Sequence, residues 1–204
     1  VQKYYRKCCK EYHEKTFPVD PASFLTPLAA GLKPGATVLD VGCGSGRDLL
    51  WMKNRGFNVM GLEGSAGLAE LAAENTGGEI IKADFEAYDF TQLSVDAIVL
   101  VGALVHLPHV KMPAVLNSII KALKKDGKIL LTLKKGAGRT SDTHGRIFYL
   151  WQDDEIRGLF NRLKLKVTAY FQLPSTIGTG EVWLGYILEP DNPGGLLKPS
   201  GNPA

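Results

Sequence analysis

The sequence predicts an α/β protein: a doubly wound, mostly parallel seven-stranded sheet with helices on both faces and a C-terminal antiparallel hairpin. Three observations carry that expectation. Short apolar, β-rich runs alternate with amphipathic segments through the middle of the chain, the pattern of a parallel sheet covered on both faces. Gly42, Gly44 and Gly46 fall within five positions directly after the first of those runs. The last two apolar runs have no helix-sized segment between them, so they pair as a hairpin and make one strand antiparallel.

Taken in order, "DPASFLTPLAAG" reads as a short helix, with Asp20 as cap, Pro21 at the first helical position and Gly31 as the stop. "TVLDVG", Thr37 to Gly42, is a buried strand ended by glycine. "RDLLWMKNRG" is a helix closing at Gly56, with Lys53 and Arg55 where the helix dipole favours cations. Phe57 to Glu63 is a second strand, Ser65 caps the helix "AGLAELAAEN", and Gly77 and Gly78 close it. "EIIKA" is a third strand running into Asp84, and "VDAIVLVG", Val95 to Gly102, is the most apolar strand. Leu116, Ile119, Ile120 and Leu123 recur at helical spacing, which extends a helix over "MPAVLNSIIKALKK" with Lys121, Lys124, Lys125 and Lys128 as its solvated end. Asp126-Gly127 turns into a fifth strand, "KILLTLK"; Ile156, Leu159, Phe160 and Leu163 mark a last helix. "LKVTAYFQL" and "EVWLGYILEP" form the closing hairpin.

The totals exclude several classes. With 204 residues, 45% of them hydrophobic, the chain is expected to form one core domain. A net charge of +3 is too small an excess to argue for nucleic acid. Cys8 and Cys9 are adjacent and Cys43 sits in the glycine turn, which leaves no disulfide framework and no zinc spacing, so no metal is expected and a reducing, cytoplasmic setting fits. The first residues are too charged for a signal peptide, and no apolar run reaches membrane-spanning length. The chain begins at Val1 rather than Met, which leaves room for native residues before it. The expected organisation is an N-terminal helical lid segment over 1–34, a cofactor-binding domain over 35–189, and a disordered tail over 190–204, where proline and glycine are dense.

The glycine turn decides the ligand. A nucleoside-triphosphate loop needs Lys-Ser/Thr after its last glycine, and nothing after Gly46 supplies it. A dinucleotide fingerprint wants a third glycine where Arg47 stands. What remains is Asp-x-Gly-x-Gly-x-Gly, here Asp40, Gly42, Gly44 and Gly46. With these residues the chain resembles the class I S-adenosylmethionine-dependent methyltransferases, over roughly Val38 to Glu189. "GCGSGRD" and "EYHEKTFPVDPASFL" are similar to the small bacterial tellurite-resistance-like group. The resemblance implies a Rossmann-like methyltransferase fold with S-adenosylmethionine as cofactor and S-adenosylhomocysteine as product.

The glycines then let the backbone approach the amino-acid part of the ligand, while Asp40 orients the turn or accepts from the ligand's ammonium. Cys43 reads as a small filler within that turn. Glu63 stands 21 positions after Gly42, at a strand end, where a carboxylate accepts from the ribose hydroxyls; Gly64 and Ser65 adjoin it. Asp84 closes the third strand near the adenine, with Phe85 as an apolar wall. Arg47, with Asp48, is either a helix-start charge or a brace for the ligand's carboxylate end. Gly102 and Ala103 face the crevice at the strands' carboxyl ends, which places His106 near the transfer centre as a general base or as a packed polar group. Tyr12 and Thr16 belong to the segment that, in related enzymes, folds over the cofactor.

The expected reaction is in-line methyl transfer to a small-molecule acceptor through oxygen, sulfur or a metalloid, with alignment as the protein's main task. No Asn/Asp-Pro-Pro-Tyr/Phe follows the fourth strand and no cysteine follows Cys43, which disfavours adenine, glutamine and base-C5 acceptors. Arg139 and Arg146, in a loop that reads as flexible, offer charge for an anionic acceptor. Two other classes stay open: a cofactor-binding module without turnover, and an NAD(P)-dependent oxidoreductase. The oligomeric state is not legible.

Overall fold

The computed structural model describes residues 2–175 and 180–191. Two short helices, α1 (Gln2–Lys7) and α2 (Cys9–Thr16), open the chain, and α3 (Ala22–Ala29) leads into β1 (Thr37–Val41). There follow α4 (Arg47–Lys53), β2 (Asn58–Glu63), α5 (Ala66–Thr76), β3 (Glu79–Lys82), β4 (Val95–Leu100), α6 (Met112–Ile120) and β5 (Leu123–Lys134). A small hairpin, β6 (Arg139–Ser141) and β7 (Ile147–Tyr149), precedes α7 (Asp153–Arg162), β8 (Leu165–Pro174) and β9 (Val182–Pro190).

The large sheet has seven strands in the order β3-β2-β1-β4-β5-β9-β8. The pairs from β3 to β5 are parallel, and β9 runs antiparallel to both β5 and β8. The doubly wound sheet and its closing hairpin are therefore as the alternation predicts. Because β2 and β4 lie on opposite sides of β1, the chain reverses its winding direction there, and a crevice opens beyond the carboxyl ends of β1 and β4.

The central strands are apolar on both faces because both are covered. Leu39, Val41, Ile98, Leu100, Leu131 and Leu133 join a large core with α6 and α7; Val38, Ala97, Val99 and Leu130 join a second one with Leu25 and Leu28 of α3. The capping chemistry is local. The Asp20 carboxylate accepts from Ala22 N–H at 2.9 Å, and Gly77 ends α5 in the left-handed conformation.

Several expectations change. The helix expected to reach Lys125 stops at Ile120, because Leu123 already pairs with Val95 as part of β5. Two of the four lysines expected as its solvated end instead brace the sheet, Lys124 binding Asp96 at 2.9 Å and Lys128 pairing with Glu189, while Lys121 and Lys125 are exposed. The Asp126-Gly127 turn survives as an irregularity inside β5, since Lys128 faces Ala97 immediately after the Leu123–Val95 pair. No α-helix separates β3 from β4; a single 3-10 turn, Phe90–Gln92, makes the crossing and buries Phe90. The loop read as flexible contains β6 and β7, paired from Arg139–Tyr149 to Ser141–Ile147.

The expected tail begins too early. Pro190 is the last residue of β9, opposite Leu165, and Asp191 N–H donates to Lys164 O at 2.8 Å. Residues 192–204 lie outside the described residues. Among the described residues, no helix is long and apolar enough to cross a membrane.

Candidate functional site

A cavity of about 480 Å³ occupies the crevice at the carboxyl ends of β1, β2 and β4. Its floor is the glycine turn. Gly42 has φ +73°, and a Cβ there would stand 3.0 Å from the Ala103 Cβ, so only glycine keeps this wall thin. Gly44, also left-handed, lines the cavity beneath the Tyr12 ring. Gly46 does a different job: a Cβ there would meet Thr76 Cγ2 at 2.9 Å and Ala72 Cα at 3.1 Å. It lets the turn pack against α5 and does not line the cavity.

Glu63, the last residue of β2, ties this floor together. Its Oε2 accepts from Gly44 N–H at 2.9 Å and its Oε1 from Ser65 N–H at 2.8 Å, so both carboxylate oxygens are oriented while each keeps lone-pair capacity. Burial pushes its pKa up, and the backbone donors of Ser65, Gly44 and Gly64 pull it back. Gly64, Ser65 and Leu68 continue the wall. Asp84, Phe85 and Glu86 complete that end; the Asp84 carboxylate accepts from Glu86 N–H at 3.0 Å, and Glu86 pairs with Lys111 at 2.6 Å. Val101, Gly102, Ala103, His106 and Leu107 form the opposite wall. Gly102 N–H donates to Thr132 Oγ1 at 2.9 Å, which pins the end of β4 to β5.

The roof comes from far away in the chain. Tyr5 and Tyr12, packed edge-to-face at 5.0 Å, close the cavity from above. Ser65 Oγ donates to Tyr5 O at 3.2 Å, and a Cβ on Gly67 would touch the Cys9 sulfur at 2.9 Å, so α1 and α2 sit directly on α5. The β6–β7 hairpin meets them. Arg146 lies over the Tyr4 ring at 4.3 Å, donates to the Tyr5 hydroxyl at 3.2 Å and forms an ion pair with Asp142 at 2.7 Å. His106 joins the two segments, with Nε2 3.0 Å from the Tyr5 hydroxyl and Nδ1 2.6 Å from the Ile147 carbonyl.

Of the residues singled out in the sequence, Gly42, Gly44, Glu63, Gly64, Ser65, Asp84, Phe85, Gly102, His106 and Tyr12 all line this one cavity. The others stand behind it. Asp40 is buried under the turn; burial and then the neighbouring Asp48 push its carboxyl well above the usual range, against the pull of Arg47. Arg47 Nε binds Asp48 at 2.6 Å. The Cys43 thiol packs with Leu49 and Ala72, and burial raises its pKa, so it is an inert filler. Thr16 donates to Tyr12 O within its own helix at 2.7 Å. Arg139 is exposed on β6, and Arg146 is already matched by Asp142, so neither offers a free cation to the cavity.

Sequence reasoning missed Tyr5, the hairpin contacts and Glu86. Tyr5 carried no motif; its place depends on partners 101 and 141 residues away. Glu86 was detectable as the second acidic residue after β3.

The walls suit a cationic, partly apolar ligand. Glu63, Asp84 and Glu86 bring three carboxylates to the lining, which contains no lysine or arginine, while Leu68, Phe85, Val101 and Leu107 supply apolar surface. A pyrophosphate would meet those carboxylates with no lysine or arginine in the lining. Among the described residues, no group of histidine, cysteine and carboxylate side chains could hold a metal ion.

Comparison with known proteins agrees with this geometry. Residues 38–127 match the family model described as a methyltransferase domain. A phosphoethanolamine N-methyltransferase of Triticum aestivum is 34% identical over 107 residues, covering 50% of this chain and 21% of that enzyme. A sterol 24-C-methyltransferase of Gibberella zeae is 36% identical over 107 residues, covering 48% and 27%. The chain thus matches about a fifth of the length of the plant enzyme. Among solved structures, the 1,6-didemethyltoxoflavin-N1-methyltransferase of Burkholderia thailandensis, crystallised with S-adenosylhomocysteine, aligns over 93% of this chain and 85% of its own at TM-score 0.76 and 20% identity. A TehB-like methyltransferase of Corynebacterium glutamicum aligns over 93% and 97% at TM-score 0.69 and 19% identity.

Proposed function

We propose that the chain is a class I S-adenosylmethionine-dependent methyltransferase and that it methylates a small-molecule acceptor in the cavity beneath Tyr5 and Tyr12. The observation that carries this reading is the Glu63 carboxylate, held by Gly44 and Ser65 at the floor of a glycine-walled cavity lined by acids.

S-adenosylmethionine supplies, when bound, a methyl group already activated by its sulfonium. Glu63 accepts from the ribose hydroxyls with lone pairs its backbone donors leave free. Gly42 and Gly44 let the backbone approach the amino-acid part, with Asp40 and the Arg47–Asp48 pair setting the turn from behind. Asp84 and Phe85 flank the adenine, one polar and one apolar. Tyr5, Tyr12 and the hairpin cover the opening and exclude water, so most of the rate comes from alignment, worth up to about 7–11 kcal/mol. In this reading the lid expected over 1–34 narrows to α1 and α2, because α3 packs into the sheet core and belongs with the domain that holds the ligand. The reacting atom is oxygen, sulfur or a metalloid. Three free thiols, Cys8, Cys9 and Cys43, fit a reducing cytoplasmic setting.

The test is a thermal-shift titration of ligand-free protein with S-adenosylhomocysteine and, in parallel, NADH. Saturation at about 100 times Kd adds roughly 2.7 kcal/mol of stability. Stabilisation by S-adenosylhomocysteine that Glu63→Ala weakens supports the reading; a response to NADH alone replaces it with a dehydrogenase, and binding without transfer to any acceptor leaves a regulatory module.

A further inference from the structure

One hydrogen-bonded chain crosses the roof between the His106 wall and the hairpin, and each of its bonds has a direction. Arg146 Nη1 donates to the Tyr5 oxygen at 3.2 Å. The Ile147 carbonyl can only accept, so His106 Nδ1 carries the ring proton at 2.6 Å from it. His106 Nε2 is then the lone pair of a neutral imidazole, and the Tyr5 hydroxyl at 3.0 Å donates to it. Tyr5 therefore accepts from Arg146 and donates to His106. Its oxygen keeps one further lone pair, and Tyr5 lines the cavity.

We propose that Tyr5 takes the proton of the methyl acceptor while passing its own to His106, so that the acceptor is a neutral molecule whose reacting oxygen or sulfur bears a proton. The proposal rests on the methyltransferase reading above. The acceptor atom bonds to the methyl carbon as the carbon–sulfur bond breaks and its electron pair stays on sulfur. The acceptor's proton moves to the Tyr5 oxygen, the Tyr5 proton moves to His106 Nε2, and the imidazolium then releases a proton to water. Arg146, already bonded to the Tyr5 oxygen, offsets the negative charge that gathers there during the transfer.

Charge on the walls points to the same acceptor class. An oxyanion needs no proton acceptor, and here it would face Glu63, Asp84 and Glu86 with no lysine or arginine in the lining. The Arg146 guanidinium is held through Nε and Nη2 by Asp142 Oδ2, and that of Arg47 through Nε by Asp48. The groups facing His106 are Tyr5 from α1, Arg146 and Phe148 from the hairpin, and Lys134 from β5. Burial first, and then Arg146 and Lys134, lower its pKa to about 4. His106 is therefore neutral at pH 7 with its Nε2 lone pair available to the Tyr5 proton; the same lowering makes it a weak base, whose imidazolium gives the proton up quickly.

The experiment supplies labelled S-adenosylmethionine with three probes: catechol for an O–H acceptor, dithiothreitol for S–H, and sodium selenite for an oxyanion. Wild type, Tyr5→Phe and His106→Asn are compared, with S-adenosylhomocysteine affinity and melting temperature measured on each. We expect catechol or dithiothreitol to be methylated in preference to selenite. Tyr5→Phe should lower kcat by about 10²-fold or more with KM and cofactor affinity kept, and the deficit should shrink at high pH as the acceptor ionises unaided. A Tyr5→Phe kcat within a few-fold of wild type overturns the relay. Preferential methylation of selenite, or inertness of both protic probes in protein that binds S-adenosylhomocysteine, overturns the acceptor class and leaves the cofactor reading standing. Failure to bind S-adenosylhomocysteine removes the methyltransferase reading itself and the proposal with it.

Discussion

The glycine-turn side of the cavity and its roof are held by different kinds of interaction. On the turn side, Gly42, Gly44, Glu63 and Ser65 come from β1, β2 and the two turns that follow them, joined by backbone N–H groups to one carboxylate. On the roof, Tyr5, His106 and Arg146 come from three segments, and every bond between them uses a side-chain tip, with the Ile147 and Tyr5 carbonyls as backbone acceptors. Backbone donors are placed by the sheet and have no rotamer freedom to lose. Side-chain tips must each be immobilised, at a cost of up to about 2 kcal/mol for the longest. On the proposed reading, the turn side should therefore be set before any ligand arrives, and the roof should be the part that opens to admit one.

The largest effect should follow from breaking the turn side. Glu63→Ala removes the proposed ribose acceptor and orphans the Gly44 and Ser65 donors; S-adenosylhomocysteine affinity should fall by 100-fold or more by calorimetric titration, consistent with about 1.5–3 kcal/mol per charged hydrogen bond. Gly46→Ala comes next and should strike stability rather than contact. Its φ of +86° and the Thr76 and Ala72 atoms in the way predict a loss of about 1–3 kcal/mol in urea unfolding. An unchanged midpoint would show that α5 can retreat.

The roof should respond differently. Arg146→Met removes the bond to Tyr5 and the cation over Tyr4 but leaves the large sheet alone. Global stability should shift by less than about 1 kcal/mol, as for other partly exposed ion pairs. Limited proteolysis near α1 and α2 should nevertheless accelerate, and equal cleavage rates in the two proteins would mean the clasp is dispensable.

The last effect shows only on acidification. His106 has a folded-state pKa lowered by burial from 6.5 to about 4, so the unfolded chain binds its proton more readily between those values. Its contribution to stability is complete above about pH 6.5 and declines as pH falls towards 4. Relative to His106→Asn, the wild type should lose stability over that window in denaturant titrations at stepped pH. Parallel curves would contradict a neutral His106.

The same division governs what the chain reveals unaided. The sequence by itself determined the doubly wound sheet, the closing antiparallel hairpin and the turn-side residues, because apolar periodicity, caps and glycine spacing act over a few residues and reappear directly as strands, turns and the Gly44–Glu63 contact. It overran α6 because Leu123 satisfies helical spacing as well as it satisfies pairing with Val95, and only the sheet could choose between them. Tertiary structure alone decided that Gly46 packs against α5, that Cys43 turns inward, and that Tyr5 and Arg146 meet at His106. Those outcomes depend on which surfaces arrive within a few ångströms after folding, and contacts spanning 101 and 141 residues leave no local pattern in the chain.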